Sequence, residues 1–214
     1  MSLIHRIVLP CVMGGALGIT MLGCSGKSKA PPSISSFSPM QGPIGSYVYI
    51  LGSGFSNATG VTIGGVACPS FQIPSDSEVN ANVPGNASSG VIVVSTGAGS
   101  STTNASFFIV PGITSLLDVT NGSALTMNPG EVVTITGSGF IGATAPLIFY
   151  GPSGSSAVST PQPTYTVVNA NQITTTVPAS ITPGAGYIIQ VTVPGPSSNT
   201  PPTNTCSSPS FTIQ

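Results

Sequence analysis

A length of 214 residues is enough for one large or two small domains, and 40% hydrophobic residues is adequate for packed cores. Only 3% of the residues are charged, and every basic residue lies in the first 29 positions, at His5, Arg6, Lys27 and Lys29. This excludes nucleic acid as a partner, because binding to it depends on basic side chains that neutralise phosphates. The 27 Gly and 21 Pro imply many turns and few long helices, so we expect an all-β chain.

The N-terminal segment has the pattern of a targeting signal. A short basic stretch, MSLIHR, precedes an apolar run that ends at Gly23 and Cys24. We therefore expect residues 1–23 to be a signal peptide and residues 24–32 to form a polar tether. An ordinary secretory signal cut nearby and an uncleaved anchor, whose apolar run is short for a membrane span, stay open as alternatives.

The junction MLGC at the end of this segment resembles the lipobox of bacterial lipoproteins. It departs from that family's pattern at Met21, where Leu is preferred, and at Leu22, where a small residue is preferred. The resemblance implies that Cys24 receives a diacylglyceryl thioether and holds the chain to a membrane. Ser25 resembles the sorting pattern of outer-membrane lipoproteins, which implies the cell envelope, at the outer membrane or cell surface, of a Gram-negative bacterium.

Two halves with the same order of patterns follow the tether. Short alternating or apolar runs bounded by turn residues predict strands near 33–38, 46–51, 61–63, 66–73, 78–83, 90–96 and 105–110 in the first half. In the second half they predict strands near 113–119, 131–136, 146–150, 163–168, 171–177, 186–193 and 209–213. About seven strands per half is the count of an immunoglobulin-like sandwich. Alternation in SYVYI places Tyr47 and Tyr49 on the outer face.

The phrase GSGF occurs in both halves, as Gly52, Ser53, Gly54, Phe55 and again as Gly137, Ser138, Gly139, Phe140. A phosphate-binding loop is excluded, because no Gly-Lys-Ser/Thr, no helix pattern and no basic residue follows. Glycines at the end of a strand permit a tight turn or a positive φ. We expect the glycines to form a turn and Phe55 and Phe140 to fill the ends of two cores.

Each half resembles the IPT/TIG domain, an immunoglobulin-like (E-set) fold. In the first half the resemblance rests on the opening ISSFSPMQGPIG, then VYILGSGF, VTIGGV, PSDS and a closing FIV. The second half lacks Phe-Ser-Pro and carries longer polar loops. The resemblance implies two tandem sandwiches, with domains at 33–110 and 111–214.

Little in the chain suggests catalysis. Beyond residue 29 there is no histidine or lysine to serve as a base, and Asp76 and Glu78 are expected in a solvated turn before a strand; a weak calcium site there would need more oxygen ligands. We predict no catalytic residue, no metal site and no cofactor. Cys68 and Cys206 have no partner within their own half, which leaves a disulfide between domains, a disulfide between chains, or two free thiols.

The expected role is therefore a non-catalytic, lipid-anchored binding, adhesion or spacer module. Its partner would be a surface protein or a glycan, bound through polar loops and exposed aromatic residues such as Tyr47, Tyr49, Tyr150 and Tyr165. Two alternatives stay open. One is a structural subunit of an extracellular fibre or sheath, joined through unguarded edge strands, and the other is an accessory carbohydrate-binding module.

Overall fold

The computed structural model describes residues 29–143, 148–151, 164–195 and 203–214. Within these ranges the chain forms eighteen β-strands, which confirms the predicted all-β, immunoglobulin-like fold class. None of the described residues belongs to a helix long and apolar enough to cross a membrane. Cys24 and the signal segment lie outside the described residues.

The first sandwich comprises two sheets in the orders β1-β3-β7-β6 and β2-β9-β8-β4-β5. Its strands are β1 (Ser33–Ser38), β2 (Gln41–Pro43), β3 (Tyr47–Ser53), β4 (Ala58–Ile63), β5 (Val66–Ala67), β6 (Phe71–Ser75), β7 (Glu78–Asn82), β8 (Gly90–Thr96) and β9 (Gly99–Val110). All pairs are antiparallel except β2 with β9, which is parallel.

The second sandwich repeats this arrangement, with sheets in the orders β10-β12-β15-β14 and β11-β18-β16-β13, and with β17 paired to β16. Its strands are β10 (Gly112–Asp118), β11 (Thr126–Met127), β12 (Val132–Ser138), β13 (Ile148–Tyr150), β14 (Tyr165–Asn169), β15 (Gln172–Thr176), β16 (Gly184–Pro194), β17 (Thr203–Ser207) and β18 (Phe211–Ile213). The parallel pair here is β11 with β18.

Alternating side chains on the central strands fill each core. Val48 and Ile50 of β3 are fully buried between the sheets of the first sandwich. Val133 and Ile135 occupy the matching places on β12 in the second. This period of two, with one face inward and one face outward, is what leaves every second residue of these strands on the outer surface.

The strand predictions need correction at two kinds of place. The single strand expected near 66–73 is two strands, because Pro69 interrupts it and the chain crosses from one sheet (β5 on β4) to the other (β6 on β7). Strands β2, β11 and β17 were not predicted. The Gly and Pro of QGP are typical of a turn, so the sequence does not indicate β2. Strand β17 lies in a polar segment whose sequence indicates an extended loop.

One residue, Pro111, separates β9 from β10. Gly139 lies against this connection: a Cβ added there would come within 2.7 Å of the Ile109 Cγ2 and within 3.2 Å of the Pro111 Cα. The corresponding residue of the first sandwich, Gly54, lies in the same way against Pro32, with its Cβ position 3.3 Å from the Pro32 Cα. Each GSGF turn therefore packs against the chain that enters its own sandwich.

Candidate functional site

The two GSGF turns are built into the fold. Gly52 has no room for a side chain, because a Cβ there would lie 1.9 Å from the Ser33 carbonyl oxygen and 2.6 Å from the Phe55 ring. Gly54 adopts φ +78°, a conformation that favours glycine. Phe55 is fully buried. The absence of a side chain at Gly52 lets the β1 backbone and the Phe55 ring approach closely, and Gly54 forms the turn.

The second turn repeats these contacts. A Cβ at Gly137 would lie 2.0 Å from the Gly112 carbonyl oxygen and 2.5 Å from the Phe140 ring. Gly139 has φ +73°, and Phe140 is fully buried. These six residues therefore have structural roles.

A carboxylate caps the first turn. Asp76 accepts hydrogen bonds from the backbone N–H groups of Gly54 at 3.1 Å and Ser56 at 3.0 Å, and from the Ser56 hydroxyl. The Ser56 hydroxyl first, and then these N–H groups, hold the pKa of Asp76 below its usual value. The Asp76 backbone carbonyl also accepts a hydrogen bond from the Phe55 N–H, and in the second sandwich the Ala170 carbonyl accepts the matching bond from Phe140. Ala170 has no carboxylate, so the second turn lacks this cap. Asp76 thus serves a turn on the surface.

Both described cysteines, Cys68 and Cys206, are free thiols. Burial raises the pKa of each thiol to about 11, which keeps it protonated and unreactive at neutral pH. The sulfur of Cys206 also accepts a hydrogen bond from the Ile113 backbone N–H. In the first sandwich the Ser101 hydroxyl oxygen accepts the corresponding hydrogen bond from the Ile34 N–H, at 3.1 Å. Cys206 therefore links β17 to β10.

The outer surface of the β1-β3-β7-β6 sheet carries two exposed aromatic rings. Tyr47 is 49% exposed and Tyr49 is 50% exposed. In the register of the sheet, Tyr47 lies opposite Asn82, and Tyr49 lies opposite Asn80. The row through Tyr49 continues to Ser38 on β1 and to Gln72 on β6. We call the surface formed by these residues, together with Leu51 and Glu78, the tyrosine face.

Two amides lie beside the rings. The Asn82 Nδ2 donates to the Gly45 carbonyl at 2.8 Å, which fixes this side chain against the preceding turn. The Asn80 Oδ1 is buried and has no hydrogen-bond partner among the described residues. A buried acceptor without a donor is costly. Because this oxygen is shielded from solvent, Asn80 is a half-buried amide beside Tyr49 whose Oδ1 is not presented to a ligand.

The second sandwich shows what this surface looks like without tyrosines. There Val132 pairs with Thr176, as Tyr47 pairs with Asn82, and Thr134 pairs with Thr174, as Tyr49 pairs with Asn80. Val and Thr suit a half-exposed strand and are ordinary in sheets. The fold is thus satisfied by small side chains at these places. The fold therefore does not require the aromatic and amide side chains that the first sandwich has at these positions.

Comparisons with known proteins agree with this architecture. Residues 32–109 match the model of the IPT/TIG domain.

Residues 32–109 are an IPT/TIG domain.

The resemblance predicted from ISSFSPMQGPIG and GSGF is thereby confirmed for the first half of the chain. No curated protein matches the sequence.

Several solved structures are similar to most of the chain. A surface glycan-binding protein from Prevotella bryantii has a TM-score of 0.46 and 16% identity, and the match covers 85% of this chain and 42% of that one. A protein solved with a xylogluco-oligosaccharide has a TM-score of 0.45 and 20% identity, covering 85% and 41%. A protein of a xyloglucan utilisation locus in Bacteroides uniformis has a TM-score of 0.34 and 18% identity, covering 84% and 49%. The chain spans less than half the length of each.

Of the four tyrosines expected to be exposed, only the two in the IPT/TIG domain are shown to be so. Tyr165 is half-buried against the second core, and its hydroxyl donates to the Ala143 carbonyl at 3.0 Å. The expectation that it is an exposed binding residue is therefore wrong. The side chain of Tyr150 lies outside the described residues.

The sequence prediction missed the polar part of the tyrosine face. Asn80 and Asn82 alternate in EVNAN as the tyrosines do in YVY, so each strand alone indicates an outward pair. Only the register between β3 and β7 places the pairs side by side, and Gln72 and Glu78 join them through the same register. These contacts are distant in sequence, and no local pattern encodes them.

Proposed function

We propose that the chain is a non-catalytic binding module of the cell envelope, and that the tyrosine face of its IPT/TIG domain binds a glycan. Two sandwich domains, at 33–110 and 111–214, would follow a tether that begins at Cys24.

One observation carries this proposal. Tyr47 and Tyr49 present half of each ring to solvent at places where the second sandwich has Val132 and Thr134. A large aromatic ring that neither fills a core nor satisfies the fold is typical of a binding surface.

The chemistry of the tyrosine face suits sugar rings. Tyrosine rings are rigid, apolar plates that lose little conformational entropy on binding, and they can pack against the C–H face of a sugar. The amide of Gln72, whose side chain is exposed, can donate and accept hydrogen bonds as sugar hydroxyls do. The surface is a sheet rather than a cleft, so it suits the side of an extended chain. Its one carboxylate is that of Glu78, whereas glycoside hydrolysis ordinarily uses a pair of carboxylates that flank the bond to be broken.

Binding to polysaccharides in native affinity gels tests the proposal. The panel includes xyloglucan and mixed-linkage glucan, because solved proteins with similar chain traces bind such ligands. The double variant Tyr47→Val with Tyr49→Thr places the second sandwich's own residues on β3. If the two rings are anchors of about 1–2 kcal/mol each, affinity falls about 30-fold or more.

Matched substitutions in the second sandwich serve as the control. Val132→Ala with Thr134→Ala changes the corresponding strand positions and should leave migration in the gel unchanged. Thermal melting of each variant shows whether it is folded. Equal retardation of the wild type and the tyrosine variant by a bound polysaccharide would contradict the assignment of the site, and migration unaffected by every glycan would contradict glycan binding itself.

We further propose that Cys24 carries the lipid. The MLGC junction and the polar tether after it support this step. Intact mass spectrometry of the protein from a Gram-negative host tests it. A mature chain that begins at Cys24 and carries the mass of a diacylglyceryl group is expected; an unmodified chain cut elsewhere would show an ordinary secretory signal, and an intact N-terminus would show an anchor.

Assembly into a fibre or sheath is the second candidate function. It is favoured by β1, an edge strand without Lys or Pro, which faces β9 across a groove of about 370 Å³ lined by Ile34, Phe37 and Met40 among others. Unguarded edges can pair with another chain. Sedimentation of the delipidated protein distinguishes the two: concentration-dependent polymers favour assembly, and a monomer that retains glycan affinity favours binding.

A further inference from the structure

We propose that the tyrosine face selects uncharged glycans, and that Glu78 is the residue that rejects acidic ones. This inference rests on the proposed function and adds the chemical class of the ligand. It follows from where the chain's few charges lie.

Glu78 belongs to the same surface as the rings. It begins β7 and lies opposite Leu51 of β3, one row from the Tyr49 and Asn80 pair. Residues two apart on a strand point to the same face and are about 6.8 Å apart. A glycan chain that packs on Tyr49 and follows the strand direction would therefore have its next sugar near the Glu78 carboxylate.

No basic residue after position 29 can offset this carboxylate, since the chain from residue 30 onward contains no Lys, Arg or His. Lys29 itself is placed at the GSGF turn, where its Nζ lies 2.7 Å from the Asn57 amide oxygen. The nearest acid in sequence, Asp76, is engaged by Ser56 and Gly54 at that turn. A uronate or sulfate on the tyrosine face would meet a negative charge and no positive one.

The second sandwich shows that the fold does not need a carboxylate here. Gln172 begins β15 and lies opposite Thr136, as Glu78 lies opposite Leu51. Glu78→Gln therefore introduces the residue that the same fold uses in its other copy. It removes the charge and keeps the size and the hydrogen-bonding capacity of the side chain.

The size of the discrimination follows from Coulomb's law. One carboxylate about 7 Å from Glu78 in water weakens binding about threefold, and several along a polymer weaken it further. Salt screens charges over about 10 Å at 0.1 M. The preference for an uncharged ligand should therefore be clearest at low ionic strength and should shrink as salt is added.

Titration with a matched pair of polymers tests the inference. The probes are mixed-linkage glucan and xyloglucan, each native and after oxidation of its C6 hydroxymethyl groups to carboxylates, titrated at 10 mM and 300 mM salt. At low salt we expect the wild type to bind the native polymer at least threefold more tightly than the oxidised polymer, and Glu78→Gln to narrow that ratio by strengthening the binding of the oxidised polymer. The double variant Tyr47→Val with Tyr49→Thr should lose affinity for both the native and the oxidised polymer.

The outcomes separate the two proposals. Equal affinity of the wild type for the native and oxidised polymers, or an unchanged ratio in Glu78→Gln, overturns the role of Glu78 and leaves glycan binding intact. No binding to any of the native polymers overturns the inference together with this choice of ligand class, and a failure across the whole glycan panel overturns the proposed function as well.

Discussion

Replacing Phe55 by Ala tests the structural role of the first GSGF turn. The ring is fully buried and lies so close beneath Gly52 that a Cβ there would be 2.6 Å from it. Its backbone is held as well: the N–H donates to the Asp76 carbonyl at 3.0 Å, and the carbonyl accepts from the Ala58 N–H at 2.8 Å. The turn cannot easily collapse into the space that the ring leaves.

The expected cost is therefore that of a core aromatic whose site stays open, about 3–5 kcal/mol of unfolding free energy. For a unit of about 80 residues, 1 kcal/mol corresponds to roughly 4–8 °C in melting temperature. Differential scanning calorimetry of Phe55→Ala should show a transition lowered by about 12 °C or more. Phe140→Ala should do the same to the second sandwich, because Phe140 is also fully buried.

A control for this experiment is Met40→Ala in the same sandwich. Met40 is 50% exposed, and substitutions at such surface places usually change stability by about 0.5 kcal/mol or less. A melting temperature of Phe55→Ala equal to that of Met40→Ala would refute the idea that the ring fills the end of the core.

Three further outcomes are expected. Gly52→Ala should lower the melting temperature, because its Cβ would lie 1.9 Å from a backbone carbonyl oxygen of β1. The hydrogen bonds from Ser56 and Gly54 lower the folded-state pKa of Asp76. This carboxylate therefore adds stability above its unfolded pKa of about 3.9, and that stability is lost as the pH falls through the lower folded-state pKa. Asp76→Asn should weaken the dependence of the melting temperature on pH below about 4. Cys206→Ser should keep the denaturation midpoint, because Ser101 makes the same contact in the first sandwich, whereas Cys206→Val should lower stability by about 1 kcal/mol.

Much of the fold is predictable from the sequence because its strongest patterns are local. Alternation in SYVYI and turn residues in GSGF mark a strand and its end, and their recurrence in the second half marks the duplication. Strand β2 is not predictable from local patterns, because Gly42 and Pro43 lie within it. Its parallel pairing with β9 also joins residues far apart in sequence. The break at Pro69 shows the reverse case, in which the run 66–73, predicted as one strand, spans a change from one sheet to the other.

The site was predictable only in part, and for the same physical reason. Outward alternation places Tyr47 and Tyr49 on the surface, but the neighbours of a strand are set by pairing. Asn80 and Glu78 become part of the tyrosine face through the register with β3. The fate of Tyr165 depends likewise on a distant carbonyl, that of Ala143, which accepts its hydroxyl. Exposure of an aromatic residue cannot be inferred from its strand alone.

The most direct test of the central claim is isothermal titration of the wild type and of the Tyr47→Val, Tyr49→Thr variant with a polysaccharide that binds the wild type. We expect heat of binding for the wild type, and for the variant an affinity lower by about 30-fold or more at an unchanged melting temperature. Equal affinities in two equally stable proteins would contradict the claim that the tyrosine face binds the glycan.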